Sequence, residues 1–250
     1  MYKYNAEFYK YLNLGAEESA MGVVPELLRV LPCKIASVLD VGCGVGAWLS
    51  VWKRSGCEVT GLDGEYVEKS MLLIDSQEFH SQDLAQPFDL GRRFDLCQSL
   101  EVAEHIPAAA AAQFVNSLCG SSNIVLFSAA PPGQGGENHI NEQPYEYWQA
   151  LFERNDYQMY DPVRDRIADK KSVMPWYRFN TFLYVNRTCL PEVHLQLSEF
   201  RIEPGQIPKD KSPISYQTRK ILTNAIPVKF RTHIAVLKKK MLNSMLKRTP

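Results

Sequence analysis

The sequence predicts a doubly wound α/β fold with a mostly parallel sheet, and three observations carry the prediction. Short apolar runs alternate with helical segments along the chain, which is how parallel strands joined by crossover helices read. The first run, Ser37-Val38-Leu39, ends in Asp40. It passes at once into Gly42, Gly44 and Gly46 and then Ala47-Trp48-Leu49, a buried strand, a glycine turn and a helix start. A second run, VTGLD, closes on Asp63, 23 residues after Asp40. That places a carboxylate at the end of a neighbouring strand, where it can accept bonds from both hydroxyls of a ribose.

The elements follow in order. Residues 5–31 read as helix, with Val24, Leu27, Leu28 and Leu31 at helical spacing before Pro32. The first strand covers 36–41 and its helix 46–55. The second strand covers 58–63, with a helix near 65–71, and a short third strand lies near 78–82. The fourth strand covers 94–100, and a helix follows from about Pro107, since proline is tolerated in a first turn. Asn123-Ile124-Val125-Leu126-Phe127 is the fifth strand. A glycine-rich loop over 131–142 leads to a helix near Pro144 with Tyr145, Trp148 and Phe152 on one face. Strands near 157–161 and 179–185 bring the sheet to seven.

The glycine turn lets the backbone approach a ligand closely, and the flanking acids say which ligand. Gly42, Gly44 and Ala47 also satisfy the relaxed fingerprint of a dinucleotide oxidoreductase. Three features weigh against that reading. An acid precedes the first glycine, Gly46 adds a third glycine at spacing two, and Asp83 follows Asp63 by 20 residues. A pyrophosphate gains nothing from a carboxylate at Asp40, whereas the ammonium of a sulfonium amino acid needs an anionic partner.

These residues make the chain resemble class I S-adenosylmethionine-dependent methyltransferases over roughly residues 20–185. Asp40-Val41-Gly42-Cys43-Gly44-Val45-Gly46 resembles that family's first motif, Asp63 its ribose acid, and Gln82-Asp83-Leu84 its adenine-contacting motif. Phe94 to Leu100 resembles the fourth strand, whose end faces the methyl group. The resemblance implies a Rossmann-like sheet whose last strand, 179–185, runs antiparallel. It also implies S-adenosylmethionine as cofactor, converted to S-adenosylhomocysteine. Asp40, Gly42, Cys43, Gly44, Asp63, Gly64, Asp83, Leu84 and Ser99 are the cofactor-binding candidates.

Composition agrees with one enzyme domain plus extensions. Of 250 residues, 45% are apolar and 22% charged, ordinary for a globular protein. No run of about eighteen apolar residues exists, so no spanning helix is expected. The first residues, MYKYNAEFYKYL, lack the apolar stretch of a secretory signal. Six cysteines are scattered without a C-x-x-C pair, which suits reduced thiols in the cytoplasm and argues against structural zinc. Net charge is zero but lopsided. Residues 1–205 hold 17 Lys+Arg against 27 Asp+Glu, and residues 206–250 hold 11 against one. The expected division is a methyltransferase domain with a helical N-terminal cap over 1–205 and a basic amphipathic helical tail over 206–250. In the tail, Phe230, Ile234, Leu237, Met241 and Met245 form a helical stripe. Such a helix suits an anionic membrane surface, here the inner face, or an acidic partner. Packing on the acidic body is an equal reading, and nucleic acid is not the expected partner.

Two segments carry candidate chemistry. In Glu101-Val102-Ala103-Glu104-His105, a helix would put Glu101, Glu104 and His105 on one face beyond the fourth strand. His105 then serves as a base oriented by a glutamate. The same E-x-x-E-H pattern occurs in metal-dependent small-RNA ribose methyltransferases and some quinone O-methyltransferases, so Glu101, Glu104 and His105 are the alternative metal set, although a metal is not expected. The second segment, Gly135 to Glu142, has mobile glycines, amides and acids, and His139 as the first candidate base. Asn141 or Glu142 capping the next helix is its structural alternative. Met174 to Asn180 reads as strand entry with aromatics in the core.

Taken together, the sequence is read as a methyltransferase, O-directed, with a sugar or glycan acceptor. SAAPPGQGG, NHINEQP and WYRFN resemble bacterial methyltransferases of glycan-biosynthesis gene clusters. The alternatives are a metal-assisted phenol, quinone or RNA ribose O-methyltransferase and, in another class, a catalytically silent cofactor-binding scaffold.

Overall fold

The computed structural model describes residues 6–227, 230–233 and 235–237, the first nine of these by backbone alone. In chain order the elements are α1 (Ala6–Val30), β1 (Ser37–Val41), α2 (Ala47–Arg54), β2 (Glu58–Asp63), β3 (Phe79–Ser81), β4 (Leu96–Leu100), α3 (Ala111–Ser121) and β5 (Ile124–Ser128). There follow α4 (Tyr145–Glu153), β6 (Tyr157–Tyr160), α5 (Arg164–Ile167), α6 (Pro175–Asn180), β7 (Phe182–Asn186), α7 (Pro191–Gln196), β8 (Arg201–Ile202) and α8 (Ile214–Asn224).

The sheet order is β3-β2-β1-β4-β5-β7-β6-β8. The pairs β2–β3, β1–β2, β1–β4 and β4–β5 are parallel. β7 is antiparallel to β5 and to β6, as the family resemblance implies for the last strand. The chain winds outward from β1 through β2 to β3, then returns to place β4 on the other side of β1. That reversal opens a crevice at the carboxyl ends of β1, β2 and β4, the position where open α/β sheets bind ligands.

Strand residues alternate between two buried faces. Val38, Ile124, Leu126, Leu183 and Val185 join Val24, Leu27, Trp48, Trp52 and Ile167 in one core. Leu39, Val41, Val125, Phe127, Phe182 and Tyr184 join Phe114, Leu118, Trp148 and Phe152 in the other. Phe152 stacks on Tyr184 at 3.8 Å between ring centroids. Helices thus cover both faces, and the sheet has no wet side. Among the described residues no helix is long and apolar enough to cross a membrane.

Four elements differ from the sequence reading. The sheet has eight strands rather than seven, because Arg201 and Ile202 pair with Tyr160 and Met159. From the sequence, Pro191, Pro204, Pro208 and Pro213 mark 187–213 as a linker without a continuous helix, but Pro191 opens the short helix α7 at a position needing no N–H. Residues 65–71 form only a 3₁₀ turn at Lys69–Met71, since no apolar period holds a longer helix there. Residues 174–180 are helix α6, with Pro175 at its start, not strand entry. Of the tail stripe, Phe230 and Leu237 lie in helical residues, while Ile234, Met241 and Met245 lie outside the described residues.

Arg164 ties the late elements together. It is 1% exposed and bonds Asp161 through Nε and Nη2 at 2.9 and 2.8 Å. Its Nη1 donates to the carbonyls of Phe179 and Lys209, and its guanidinium lies 4.0 Å over the Phe182 ring. Removing one partner of a buried pair costs about 3–5 kcal/mol. Arg164→Met should therefore lower the melting temperature by roughly 10 °C, at about 2–4 °C per kcal/mol for a chain of this size. A melt within about 2 °C of wild type would show that this buried pair holds nothing together.

Candidate active site

The glycine turn begins where β1 ends. The Gly42 amide donates to the Leu62 carbonyl at 2.7 Å, so the turn hangs on β2. Gly42 has φ +86°, and a Cβ there would overlap the Val102 side chain. Only glycine fits both conditions. Two residues on, the Gly44 amide donates to Asp63 Oδ2 at 2.6 Å. Asp63 Oδ1 accepts the Gly64 amide at 2.6 Å and the Tyr66 hydroxyl at 2.5 Å. Asp63 is 4% exposed. Burial raises its pKa, and Tyr66, Gly44 and Gly64 pull it back.

The other cofactor candidates line the same edge. Asp40 is buried beside its register partner Gln98, and burial pushes its pKa up to about 7, with Gln98 acting the other way and Asp63 adding to the rise. Cys43 is buried, and burial raises its thiol well above the usual range, so it is inert. The Gln82 amide donates to the Asp63 carbonyl at 2.8 Å, which seats Gln82-Asp83-Leu84 next to Asp63. Asp83 is exposed and accepts the Ala85 amide at 3.0 Å, and Leu84 is buried. Ser99 is fully buried, with its hydroxyl donating to the Val41 carbonyl at 2.9 Å. It braces β1 against β4. This set fits an adenosyl sulfonium amino acid: two buried carboxylates on adjacent strands, with a turn between them that admits no side chain at Gly42.

Beyond β4 the backbone turns sharply. Glu101 takes φ +58°, and Ala103–His105 is one 3₁₀ turn rather than an α-helix. The three side chains of E-x-x-E-H therefore part company. Glu101 accepts the Gln134 amide at 2.6 Å and the Asn180 amide at 3.3 Å. Burial pushes its pKa up to about 7 against the pull of Gln134, Ser128 and Asn180. Glu104 and His105 instead meet His139, with potential ligand atoms of the three within 4.8 Å of one another. Glu104 is 0% exposed, and its carboxylate makes no close hydrogen bond among the described residues, only weak ones from the Glu104 and Ala130 backbone amides that pull its pKa down. His139 Nε2 lies 3.9 Å from Glu104 Oε1. Burial, and then the Glu101 charge, raise Glu104 well above the carboxylate range. His105 faces the Asn138 carbonyl through Nδ1 at 3.1 Å and meets His139 edge to face at 4.9 Å. Burial and the neighbouring His139 push its pKa down to about 3.

The loop over 131–142 is organised by Glu142. Its Oε1 accepts the Gly135 amide at 2.7 Å and lies 3.0 Å from His139 Nδ1. Its Oε2 accepts the Gly133 amide at 2.9 Å and Arg231 Nη1 at 2.6 Å. Burial acts to raise its pKa, but these partners hold it below the usual value, His139 foremost. Neither Asn141 nor Glu142 caps the next helix, because Pro144 occupies that position and Glu142 turns back into the loop. Tyr66 and Arg231 carry no motif, and Val102, Gln134 and Asn180 lie inside quoted segments that assign them no role. Only the three-residue spacing of Tyr66 from Asp63 gave a local sign.

The comparisons with known proteins agree with this geometry. A family model described as a methyltransferase domain matches residues 12–165. The sheet and its crevice define a class I methyltransferase. The chain belongs to this methyltransferase family, whose cofactor is S-adenosylmethionine. The ubiquinone biosynthesis O-methyltransferase of Cereibacter sphaeroides is 33% identical over 104 residues, 38% of this chain and 41% of that protein. The match thus spans about two fifths of that relative's length. Among solved structures, the sugar N-methyltransferase KedS8 from Streptoalloteichus sp has a TM-score of 0.56 at 16% identity, over 75% of this chain and 94% of that one. CalS10, an amino pentose methyltransferase from Micromonospora echinaspora with bound SAM, has a TM-score of 0.53 at 16% identity, over 74% and 98%. At such identities the likeness is one of fold.

Asp40 makes stability depend on pH. Its carboxyl keeps a proton up to about pH 7 when folded but only to about 4 when unfolded. Between these values the native state binds more protons, so this group's contribution, complete below about pH 4, is lost as pH rises through 7. Asp40→Asn should flatten the fall in denaturant-unfolding free energy over that window, by up to about 4 kcal/mol. Parallel stability–pH curves for wild type and variant would contradict the assignment.

Proposed function

We propose that this chain transfers the methyl group of S-adenosylmethionine to a hydroxyl of a sugar or glycan. The observation that carries the reading is His139, which meets Glu104 and His105 beyond β4 and has its Nδ1 3.0 Å from Glu142 Oε1. The curated relative is named a ubiquinone biosynthesis O-methyltransferase, which supports an oxygen acceptor, while KedS8 and CalS10 are named a sugar N-methyltransferase and an amino pentose methyltransferase, which supports a sugar.

The residues divide the work. Asp63 takes the ribose hydroxyls, Asp40 the ammonium, and Asp83 the adenine amino group, with Leu84 packed beside the base. Gly42, Cys43, Gly44 and Gly64 offer backbone, and Ser99 keeps β1 and β4 in register. When bound, the cofactor supplies an electrophilic methyl group on a sulfonium. The protein's task is placement and removal of the acceptor proton. Glu142 draws the proton of His139 onto Nδ1, which leaves the Nε2 lone pair to accept it. His105, the second candidate, is held neutral by a pKa near 3 and is too weak a base. It buttresses His139.

One observation favours a second reading, a divalent cation held by Glu104, His105 and His139. A wholly buried carboxylate without a close hydrogen bond is a costly arrangement. Carboxylate and imidazole together suit a divalent metal. Such an ion would supply Lewis acidity to the acceptor oxygen. Glu101 does not belong to this set, because Gln134 and Asn180 engage it.

For the tail we propose a peripheral contact with the anionic inner face of a membrane or with an acidic partner, from a cytoplasmic enzyme. Support comes from Ile214, Ile221 and Leu222 on α8, with Phe230 and Leu237, all exposed. The tail beyond residue 205 would then pack on the loop over 131–142 through Arg219, Thr223 and Arg231 while turning these apolar side chains outward.

His139→Ala should lower turnover on a hydroxylated sugar acceptor by about 10²–10⁴-fold while leaving calorimetric cofactor affinity unchanged. Undiminished turnover would remove His139 as the base. Loss of activity in chelator, restored by Mg²⁺ or Mn²⁺, would establish the cation reading in its place. Cosedimentation with anionic vesicles should fall as salt rises, and no cosedimentation at low salt would exclude the membrane contact.

A further inference from the structure

We propose that Arg231, in the basic C-terminal tail, is a positioning residue for His139, acting through Glu142. The tail is then a working part of the active site as well as an appendage. This rests on the reading of His139 as the base.

The tail reaches the loop at several points in succession. Asp210, ahead of α8, pairs with Lys220 in the later half of that helix. The Lys220 carbonyl lies where a Cβ on Gly133 would fall, so helix and loop are in direct backbone contact. Arg219 Nη2 donates to the Gln134 carbonyl at 3.2 Å. Thr223 packs against Gly135. Past the end of α8, Arg231 comes back to the same loop and donates Nη1 to Glu142 Oε2 at 2.6 Å. The pair is not a surface decoration: the Arg231 side chain is 14% exposed and that of Glu142 only 6%.

Glu142 divides its two oxygens. Oε2 takes Arg231 and the Gly133 amide, and Oε1 takes His139 and the Gly135 amide. A charge-assisted bond is short and directional, so the guanidinium fixes the plane of the carboxylate and hence the direction of Oε1. The hydrogen bond at one imidazole nitrogen decides which nitrogen keeps the lone pair. Arg231 therefore sets the orientation and tautomer of His139 from 92 residues away in sequence.

The test reads the imidazole itself and needs no acceptor. Full-length protein labelled with ¹⁵N-histidine contains five histidines, and His139 is assigned as the ring signals absent from His139→Gln. Wild type should show a slowly exchanging Nδ1–H on His139. In Arg231→Met, which keeps the aliphatic stem, exchange of that proton should quicken by about tenfold or more, the worth of one charge-assisted bond. The two ring nitrogens should also move toward an average of both tautomers. Added guanidinium at tens of millimolar should restore the wild-type signals in part, and Arg231→Lys should retain them in part. A purely structural role predicts no rescue by a free cation. Ring signals of Arg231→Met identical to wild type would overturn the proposal, as would changed signals in Arg231→Met that neither guanidinium nor Arg231→Lys restores. Turnover of His139→Ala decides the base separately. Unimpaired methyl transfer there removes the base reading, while the ring spectra still decide whether Arg231 positions the imidazole.

Discussion

The hydrogen bond from the Gly44 amide to Asp63 is the contact on which the rest of the site depends. It joins the turn after β1 to the end of β2, two segments that the sheet brings side by side. Gly42 reinforces it by donating to Leu62. The turn can lie this close only because position 42 carries no side chain, with Val102 filling the space a Cβ would need. Asp63 is thereby oriented before any ligand arrives. The cost of burying its charge is offset by donors from Gly44, Gly64 and Tyr66. Asp40 lies one strand over, with a pKa near 7, ready to ionise beside a cationic group.

Around that fixed centre the proposed acceptor side is built from pieces distant in sequence. β4 ends in Glu101, whose positive φ diverts the chain so that Glu104 and His105 turn towards the loop after β5. The loop contributes His139, and its own shape comes from Glu142 accepting two glycine amides. The basic tail does not stand apart as its charge suggests. Lys211 and Arg231 spend their charges on Asp161 and Glu142 of the body, while Lys220 pairs with Asp210 inside the tail. The acidic body and basic tail complement one another in part, and α8 keeps Ile214, Ile221 and Leu222 exposed.

Much of this was legible in the sequence, and the reasons are local. The glycine turn, Asp63 and the alternation of strands with helices are short-range patterns enforced by backbone geometry, so they survive without context. The antiparallel β7 followed from the family resemblance. The parts that were not legible depend on contacts between distant segments. β8 is two residues long, too short for any period, and exists only because β6 offers an edge. The helical period of E-x-x-E-H was overridden by the left-handed Glu101, which the buried amides of Gln134 and Asn180 hold in place. Glu142 looked like a helix cap because Pro144 follows closely. Its actual partners include Arg231, 89 residues further on, a pairing that no local pattern announces.

The central claim is that the crevice between β1, β2 and β4 binds the adenosyl sulfonium cofactor through Asp63. The most direct measurement is calorimetric titration of the full chain with S-adenosylhomocysteine and, separately, with NAD, on wild type and on Asp63→Ala. The account predicts one-to-one binding of S-adenosylhomocysteine by wild type, weakened about tenfold or more in the variant by loss of a charge-assisted bond, and no binding of NAD by either. Tight NAD binding by wild type, or an affinity for S-adenosylhomocysteine that Asp63→Ala leaves unchanged, would contradict it.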